Sequence, residues 1–380
     1  SARLRRASMS VGRDLFDWIR AAGGSVDRRQ QLQLRPDGVR GVFATAPIAA
    51  DELLAFVPQS HLLVAESKCA LATTLQKELD LQNTSTYAPY VNTLRDIDFT
   101  THPDMWSKKA LVLTARIAPY MAWPNRRYFT ETCGGDASSD QMKSFLHVVT
   151  RAVGPFGDDR SYAMAPLFDL YNHKSATRGV ENPAWLNTRM TLHTDSGNRG
   201  LSIRSTKGIA AGEEIFNCYC CATAPHCSEG SAPDLFFTYG FVGEAPTEWW
   251  FRADANKAKS QIHRFILDGS KRVTFPAMKL DAEHYLSFVQ DAEDHLKQPL
   301  SFPEHHAGSA AKPNPKHEKA RAEAEGEEEL KQIDAALEYR KAFEDALRIA
   351  KDAAEHEIMS RAFKSEQERH ERMRQLHDEL

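Results

Sequence analysis

The chain has 380 residues, 42% hydrophobic and 26% charged, with a formal net charge of -4. That length holds one large or two medium domains with real cores, and no apolar run approaches the roughly 20 residues that a membrane helix needs. The mild acidity gives no global pull toward nucleic acid, which would require a local basic face that the sequence does not display.

In chain order, residues 1–13 carry Arg3, Arg5, Arg6 and Arg13 among serines, with no acid. This is the composition of an organellar transit segment, and a chain opening on Ser1 fits its processed remainder. Asp14–Ala22 then places Leu15, Phe16, Trp18 and Ile19 on one helical face, ended by Gly23-Gly24. Leu32–Leu34 and Val42–Ala44 read as strands around a Pro36-Asp37-Gly38 turn. Leu53–Val57 is a third strand, stopped by Pro58. From Glu66 to about Gly154 apolar residues recur at three and four, predicting helices over Lys68–Leu79, Met105–Trp123 and Asp140–Val153. Trp106 and Trp123 are expected in the core, and Cys133–Asp140 in an exposed loop.

Further on, Ala165–Tyr171 and Gly200–Ile203 are apolar enough for buried strands. Asn187–Asn198 is a hairpin with Asp195–Asn198 as its turn. Phe251–Leu267 and Leu280–Leu296 read as amphipathic helices. Phe302–His317 is a Pro/Ala/His linker, and a long charged helix follows from residue 318. Leu330, Ile333, Leu337, Phe343, Leu347, Ala350, Ala354 and Ile358 form a narrow stripe along it, fading beyond Ile358. A polar helix of this kind is seldom ordered alone, which suggests a partner.

Of six cysteines, four crowd into Cys218, Cys220, Cys221 and Cys227. Their spacing lacks the paired C-x-x-C of structural zinc sites, so thiols on a loop are expected, with no metal and in a reduced compartment. The last residues, His377-Asp378-Glu379-Leu380, spell an endoplasmic-reticulum retrieval signal. The expected compartment is nevertheless an organelle matrix, mitochondrial or plastid, with cytoplasm, nucleus and endoplasmic reticulum as alternatives.

Three ordered motifs carry the functional reading. They are D-x-x-N-H (Asp169–His173), A-G-E-E-I-x-x-x-Y (Ala211–Tyr219) and L-x-x-x-Y-G-F-V (Leu235–Val242). Together they resemble the carboxyl half of a SET methyltransferase domain. Phe145–Val153, Asp37–Leu63 and Leu15–Gly24 extend the likeness to the Rubisco large-subunit methyltransferase branch. The resemblance implies an α+β fold: a SET β-fold with a pseudoknot, a helical insertion within it, and a carboxyl-terminal helical domain. The segments are then 1–13 (basic), 14–65 and 155–245 (SET), 66–154 (insertion), 246–301 (substrate-holding helices), 302–317 (linker) and 318–380 (charged helix).

The family's roles carry over residue by residue. Tyr239 matches the catalytic tyrosine and Tyr219 the substrate-channel tyrosine. Asn172 and His173 match the pair that contacts S-adenosylmethionine, the Asn side chain offering donor and acceptor to its amino-acid end. Arg151 stands where a cofactor-carboxylate arginine is found, Phe241 beside the adenine or channel, and Arg40 in the strand-entry turn near the cofactor. That turn is commonly G-x-G, whereas here it is Val39-Arg40-Gly41 with Gly38 one place early. The Asn that often precedes the Y-G-F segment is replaced within Gly230–Pro233.

The implied activity is S-adenosylmethionine-dependent protein-lysine N-methylation, with a protein substrate and histidine as a second acceptor type. The alternative is a catalytically silent SET-fold subunit of a large organellar assembly contacting the carboxyl-terminal helix. Neither reading expects DNA binding or a membrane span.

Overall fold

A computed structural model describes residues 2–36, 38–114, 124–156, 161–174, 187–193, 199–217, 219, 231–253, 261–275, 282–297, 321 and 324–378. The predicted turn at 195–198, the four-cysteine loop, Trp123 and the 302–317 linker lie outside the described residues. Two compact units emerge: residues 1–99 with 123–228, and residues 100–122 with 229–380.

In the first unit, helix α1 spans Ala2–Ala21, longer than predicted because the Arg/Ser segment continues the helical path. Leu15, Phe16 and Ile19 are buried as the periodicity requires. Gly23, at φ +82°, donates to the Arg20 carbonyl and ends the helix in the left-handed conformation glycine accepts. Strands β1 (Ser25–Val26), β2 (Gln30–Leu34), β3 (Arg40–Ala44), β4 (Leu53–Pro58) and β5 (Leu63–Ala65) follow. Helices α2 (Lys68–Leu81) and α3 (Ala88–Leu94) come next, α2 capped by Ser67, whose hydroxyl accepts from the Ala70 amide. Helix α4 (Lys108–Thr114) belongs to the second unit. The predicted 66–154 insertion is therefore divided, with 100–122 grouped among the carboxyl-terminal elements.

Back in the first unit lie α5 (Pro124–Glu131) and α6 (Asp140–Arg151). Met142, Phe145, Leu146 and Val149 give α6 its buried stripe. Cys69 at the start of α2 and Cys133 after α5 form a disulfide across 64 residues, with Cα atoms 5.4 Å apart. Two of the six cysteines are thus paired, against the expectation of free thiols. Nothing in the spacing of two cysteines 64 residues apart signals a bond, and only the fold brings this pair together.

Strands β6 (Val153–Phe156), β7 (Ser161–Met164), β8 (Asn172–His173), β9 (Thr188–His193), β10 (Gly200–Ser205) and β11 (Glu214–Asn217) complete the unit. They build three small sheets, ordered β1-β4-β10-β9, β2-β3-β11-β8 and β5-β7-β6. The β9-β10 pair is the predicted hairpin, in register from Thr188↔Ser205 to His193↔Gly200. In the second sheet β11 is antiparallel to β3 and parallel to β8, which seats Asn172 opposite Phe216.

The predicted strand at 165–171 is absent. Phe168–Leu170 is a 3-10 turn entered through Leu167 at φ +75°, a conformation that costs a non-glycine residue about 1–3 kcal/mol. Ala165, Leu167 and Tyr171 are fully buried, so the run is apolar because it is interior, not because it is extended.

In the second unit, α7 (Ala232–Tyr239) is capped by Ser231, whose hydroxyl accepts from the Asp234 amide. Strands β12 (Thr247–Arg252), β13 (Ile262–Leu267) and β14 (Val273–Thr274) form one sheet. The amphipathic helix predicted over 251–267 is thus wrong at both described ends. Aromatic and β-branched residues in T-E-W-W-F-R and I-H-R-F-I-L pair from Thr247↔Leu267 to Arg252↔Ile262, and that preference outweighs the helical spacing of the polar residues between. Helix α8 (Ala282–Lys297) stands as predicted.

The last helix, α9, runs Glu327–Asp378. Its buried face is Ile333, Ala336, Tyr339, Phe343, Ala346, Leu347, Ala350 and Ala354, while Leu330, Leu337 and Ile358 of the predicted stripe are half-buried. Tyr339 stacks on Phe236 at 3.9 Å, Gln332 accepts from the Ser107 amide at 2.8 Å, and Arg340 donates to the Leu113 carbonyl at 3.1 Å. The chain itself therefore holds this helix as far as Ala354, and residues 361–375 are exposed. Among the described residues no helix is long and apolar enough to cross a membrane.

Candidate active site

Asn172 is placed by β8, where parallel pairing to β11 fixes its backbone and two hydrogen bonds fix its side chain. Its Nδ2 donates to the Arg40 carbonyl at 2.7 Å and to Glu214 Oε1 at 2.7 Å. Both amide hydrogens are thereby consumed. The expectation that Asn172 offers donor and acceptor to a ligand is corrected: the carbonyl oxygen alone remains for that role. Glu214 is 8% exposed, and its other oxygen lies 3.6 Å from Arg35 Nη1. Such a carboxylate is expensive to bury unless paired, and here it is paired twice.

Gly41 explains why this junction closes. A Cβ there would meet the Glu214 carboxylate and come within 3.0 Å of Asn172 Nδ2. The second glycine of the expected G-x-G is therefore retained for a packing reason, while Val39 replaces the first. Asn187, fully buried, ties the same strand: it donates to the Glu214 carbonyl at 2.9 Å and accepts from the Phe216 amide at 2.7 Å.

His173 faces Tyr219. The Tyr219 amide donates to His173 Nδ1 at 3.1 Å, and the rings lie 5.3 Å apart. An accepting Nδ1 carries no proton, and burial lowers the imidazole to about 4, so the ring is neutral at ordinary pH. Burial pushes the Tyr219 hydroxyl up to about 12, keeping it protonated.

Arg151 ends α6. Its Nη1 donates to the Asp169 carbonyl at 3.0 Å and lies 3.7 Å from Asp169 Oδ2. Tyr90 of α3 donates its hydroxyl to the same Oδ2 at 2.8 Å. Burial raises the Asp169 carboxyl, opposed by the Arg151 charge. Arg40 donates from Nη2 to the Thr93 carbonyl at 2.7 Å and is lowered by burial and then by Arg151. His147 is lowered to about 3 by burial and by both arginines.

Both guanidiniums thus lie within electrostatic reach of Asp169, and Arg40 also feels Asp96. Three atoms here, Arg151 Nε, Asp169 Oδ1 and His147 Nδ1, have no hydrogen-bond partner among the described residues. Each such atom costs about 1–3 kcal/mol, so the cluster is left incomplete in its hydrogen bonding.

Tyr239 and Phe241 lie in the second unit. Tyr239 is the last residue of α7, Gly240 follows at φ +82°, and the Tyr239 and Phe241 rings are 6.1 Å apart. Buried His102 anchors this exit: its Nδ1 accepts from the Asp104 amide at 3.2 Å, leaving Nε2 to donate to the Thr238 carbonyl at 3.0 Å. Ser231, in the region where the family's Asn is missing, is used as the α7 cap and accepts from Trp250 Nε1 at 2.9 Å.

Asn172, His173, Tyr219, Arg40 and Arg151 therefore share the first unit, and the first three are directly linked. Asp169 and Glu214 stood inside the quoted motifs without a role, and their acidity beside N-H and before Ile215 was the available signal. Nothing in the sequence flagged Tyr90, His147 or Asn187.

A SET domain family model matches residues 39–220. The chain is similar in structure to the SET domain of LSMT bound to MeLysine and AdoHcy, with a TM-score of 0.52, 12% identity and 92% of each chain covered. It is similar to Rubisco LSMT bound to AdoMet, with a TM-score of 0.50, 12% identity and 92% of each chain covered. Rubisco LSMT bound to sinefungin and monomethyllysine gives a TM-score of 0.50, again at 12% identity and 92% of each chain. No curated protein matches the sequence. The chain carries a SET domain, in an α+β fold with the arrangement of the Rubisco LSMT structures.

Proposed function

We propose that this protein is an S-adenosylmethionine-dependent protein-lysine N-methyltransferase. The observation that carries the reading is the half-buried pair of arginines, Arg40 and Arg151, with an Arg151 Nε–H unpartnered among the described residues, together with an Asn172 whose amide hydrogens are both taken so that its oxygen remains. The residues fit the amino-acid end of that cofactor: Arg151 would take its carboxylate, the Asn172 oxygen its ammonium, and Gly41 leaves the backbone room to approach. When bound, S-adenosylmethionine supplies an electrophilic methyl group on a sulfonium.

The chain's own residues then have three tasks: to align the acceptor amine, to exclude water, and to favour the neutral amine. A lysine amine has a pKa near ~10.4 in water and falls when desolvated. Tyr219, protonated because it is buried, offers an apolar ring and a hydroxyl to such an amine. His173 is neutral and so adds no charge of its own to repel the approaching amine. Tyr239, anchored through His102 and Thr238, is assigned the catalytic position, and Phe241 the wall beside it. Tyrosine at both positions favours lysine over histidine as acceptor.

The silent-subunit alternative drew on the altered turn, the missing Asn and the charged tail. Gly41 keeps its packing role, Ser231 has one of its own, and α9 is held within the chain to Ala354, so each motive loses force. The proposed partner is a protein substrate, and the proposed compartment remains an organelle matrix.

The test is methyl transfer from methyl-labelled S-adenosylmethionine to proteins of an organellar extract by the full chain. Labelled lysine that disappears with Tyr239→Phe supports the reading. Label equal in both proteins, or none in either, rejects it.

A further inference from the structure

Tyr90 lies on α3, far in sequence from every motif that suggests methyl transfer, yet it reaches the centre of the polar cluster. Its ring is fully buried, and its hydroxyl donates to Asp169 Oδ2 at 2.8 Å across 79 residues of sequence. The same helix supplies the Thr93 carbonyl that accepts from Arg40 at 2.7 Å. One short helix therefore touches both the carboxylate and one of the two arginines.

The geometry between Asp169 and Arg151 is unusual for a buried pair. A carboxylate beside a guanidinium ordinarily turns to take two parallel N–H groups, the arrangement of strongest attraction. Here the closest carboxylate approach is 3.7 Å, from Oδ2 to Nη1, and Nη1 instead bonds the Asp169 carbonyl at 3.0 Å. Oδ1 and Arg151 Nε remain without partners among the described residues. Two complementary orphans in one cluster would satisfy each other if the carboxylate could rotate. The phenol that holds Oδ2 opposes that rotation.

We propose that Tyr90 is a positioning residue: by holding Asp169 Oδ2, it keeps Asp169 from closing on Arg151 and so leaves that guanidinium, whose side chain is 18% exposed, uncommitted for the carboxylate of a bound ligand. The inference rests on the proposed S-adenosylmethionine reading and adds to it a residue on the helical insertion. Without the phenol, Asp169 becomes a competitor for the guanidinium. The ligand's carboxylate then has to displace an internal one, while the nucleoside part of the ligand is indifferent to the change.

That difference supplies the test. Binding of S-adenosylmethionine and of 5′-methylthioadenosine, which lacks the amino-acid carboxylate, is measured by calorimetry for the full chain and for Tyr90→Phe. The expected result is about a tenfold weaker affinity for S-adenosylmethionine with an unchanged affinity for methylthioadenosine. In an Asp169→Asn background, which keeps the side-chain shape but removes the competing charge, Tyr90→Phe is expected to lose this selectivity. The Asn background also serves if Tyr90→Phe alone folds poorly, because Asp169→Asn by itself should retain or improve S-adenosylmethionine binding. Equal weakening of both ligands would show a merely structural tyrosine, and wild-type affinity in Tyr90→Phe would show no role at all. Either result overturns the positioning proposal. Absence of S-adenosylmethionine binding by the wild-type chain overturns the cofactor reading instead, and the inference with it.

Discussion

The Asn172 and Arg151 sides of the site are built on opposite plans. Asn172 is saturated: both amide hydrogens are taken at 2.7 Å, its carboxylate partner is itself paired, and a glycine has been kept so that the contact closes. Arg151 is under-satisfied, with an unpartnered N–H, an unpartnered carboxylate oxygen nearby and a second arginine within electrostatic reach. The difference teaches how such a pocket divides its work. Orientation comes from the saturated side, where the protein decides which way an amide points. Affinity for an anion comes from the side left incomplete, where the ligand supplies the missing partner.

The comparison breaks most sharply at Gly41. Gly41→Ala puts a methyl group against Glu214 and Asn172. It should lower S-adenosylmethionine affinity about a hundredfold, roughly 3 kcal/mol, by disturbing the saturated side alone. Calorimetry with the sugar-base analogue as control checks this, since loss of both ligands to the same degree would point to general misfolding.

A smaller effect, about tenfold, is expected for Glu214→Ala, which leaves one Asn172 hydrogen unsatisfied and frees the amide to turn. Affinity equal to wild type there would mean that backbone pairing to β11 suffices to orient Asn172.

A separate effect is expected on the pH dependence of stability, where the two sides contribute independently. His173, at about 4, and His147, at about 3, are both neutral in the folded chain, whereas in the unfolded chain each titrates near 6.5. Below pH 6.5 the unfolded state therefore binds more protons, and stability falls as pH drops, by at most about 1.4 kcal/mol per pH unit for each group. His147→Gln should flatten the fall in urea midpoint between pH 6.5 and 4. A constant offset between the two proteins would contradict the assignment.

Much of this was legible in the sequence where a residue's role is local. The turn between β2 and β3, the stop at Pro58, the β9-β10 hairpin and the helix over Asp140–Arg151 follow from turn chemistry and spacing. The N-H pair and the two tyrosines were recognisable because their motifs are short and ordered. Interior runs misled, since a buried 3-10 turn at Phe168–Leu170 and a buried strand have the same apolar signature. The strands β12 and β13 were hidden because their pairing is set by tertiary contact. Tyr90 and His147 were invisible for a related reason: each sits on an ordinary amphipathic helix, and only burial beside Asp169 and Arg151 distinguishes them.

The central claim is that this pocket holds S-adenosylmethionine through one saturated and one incomplete side. Calorimetric titration of the full chain with S-adenosylmethionine, in parallel with Asn172→Ala and Arg151→Met, tests it most directly. The account predicts saturable one-to-one binding that is weakened by both substitutions, while Arg151→Met alone leaves methylthioadenosine binding intact. A folded wild-type chain that binds neither ligand would contradict it.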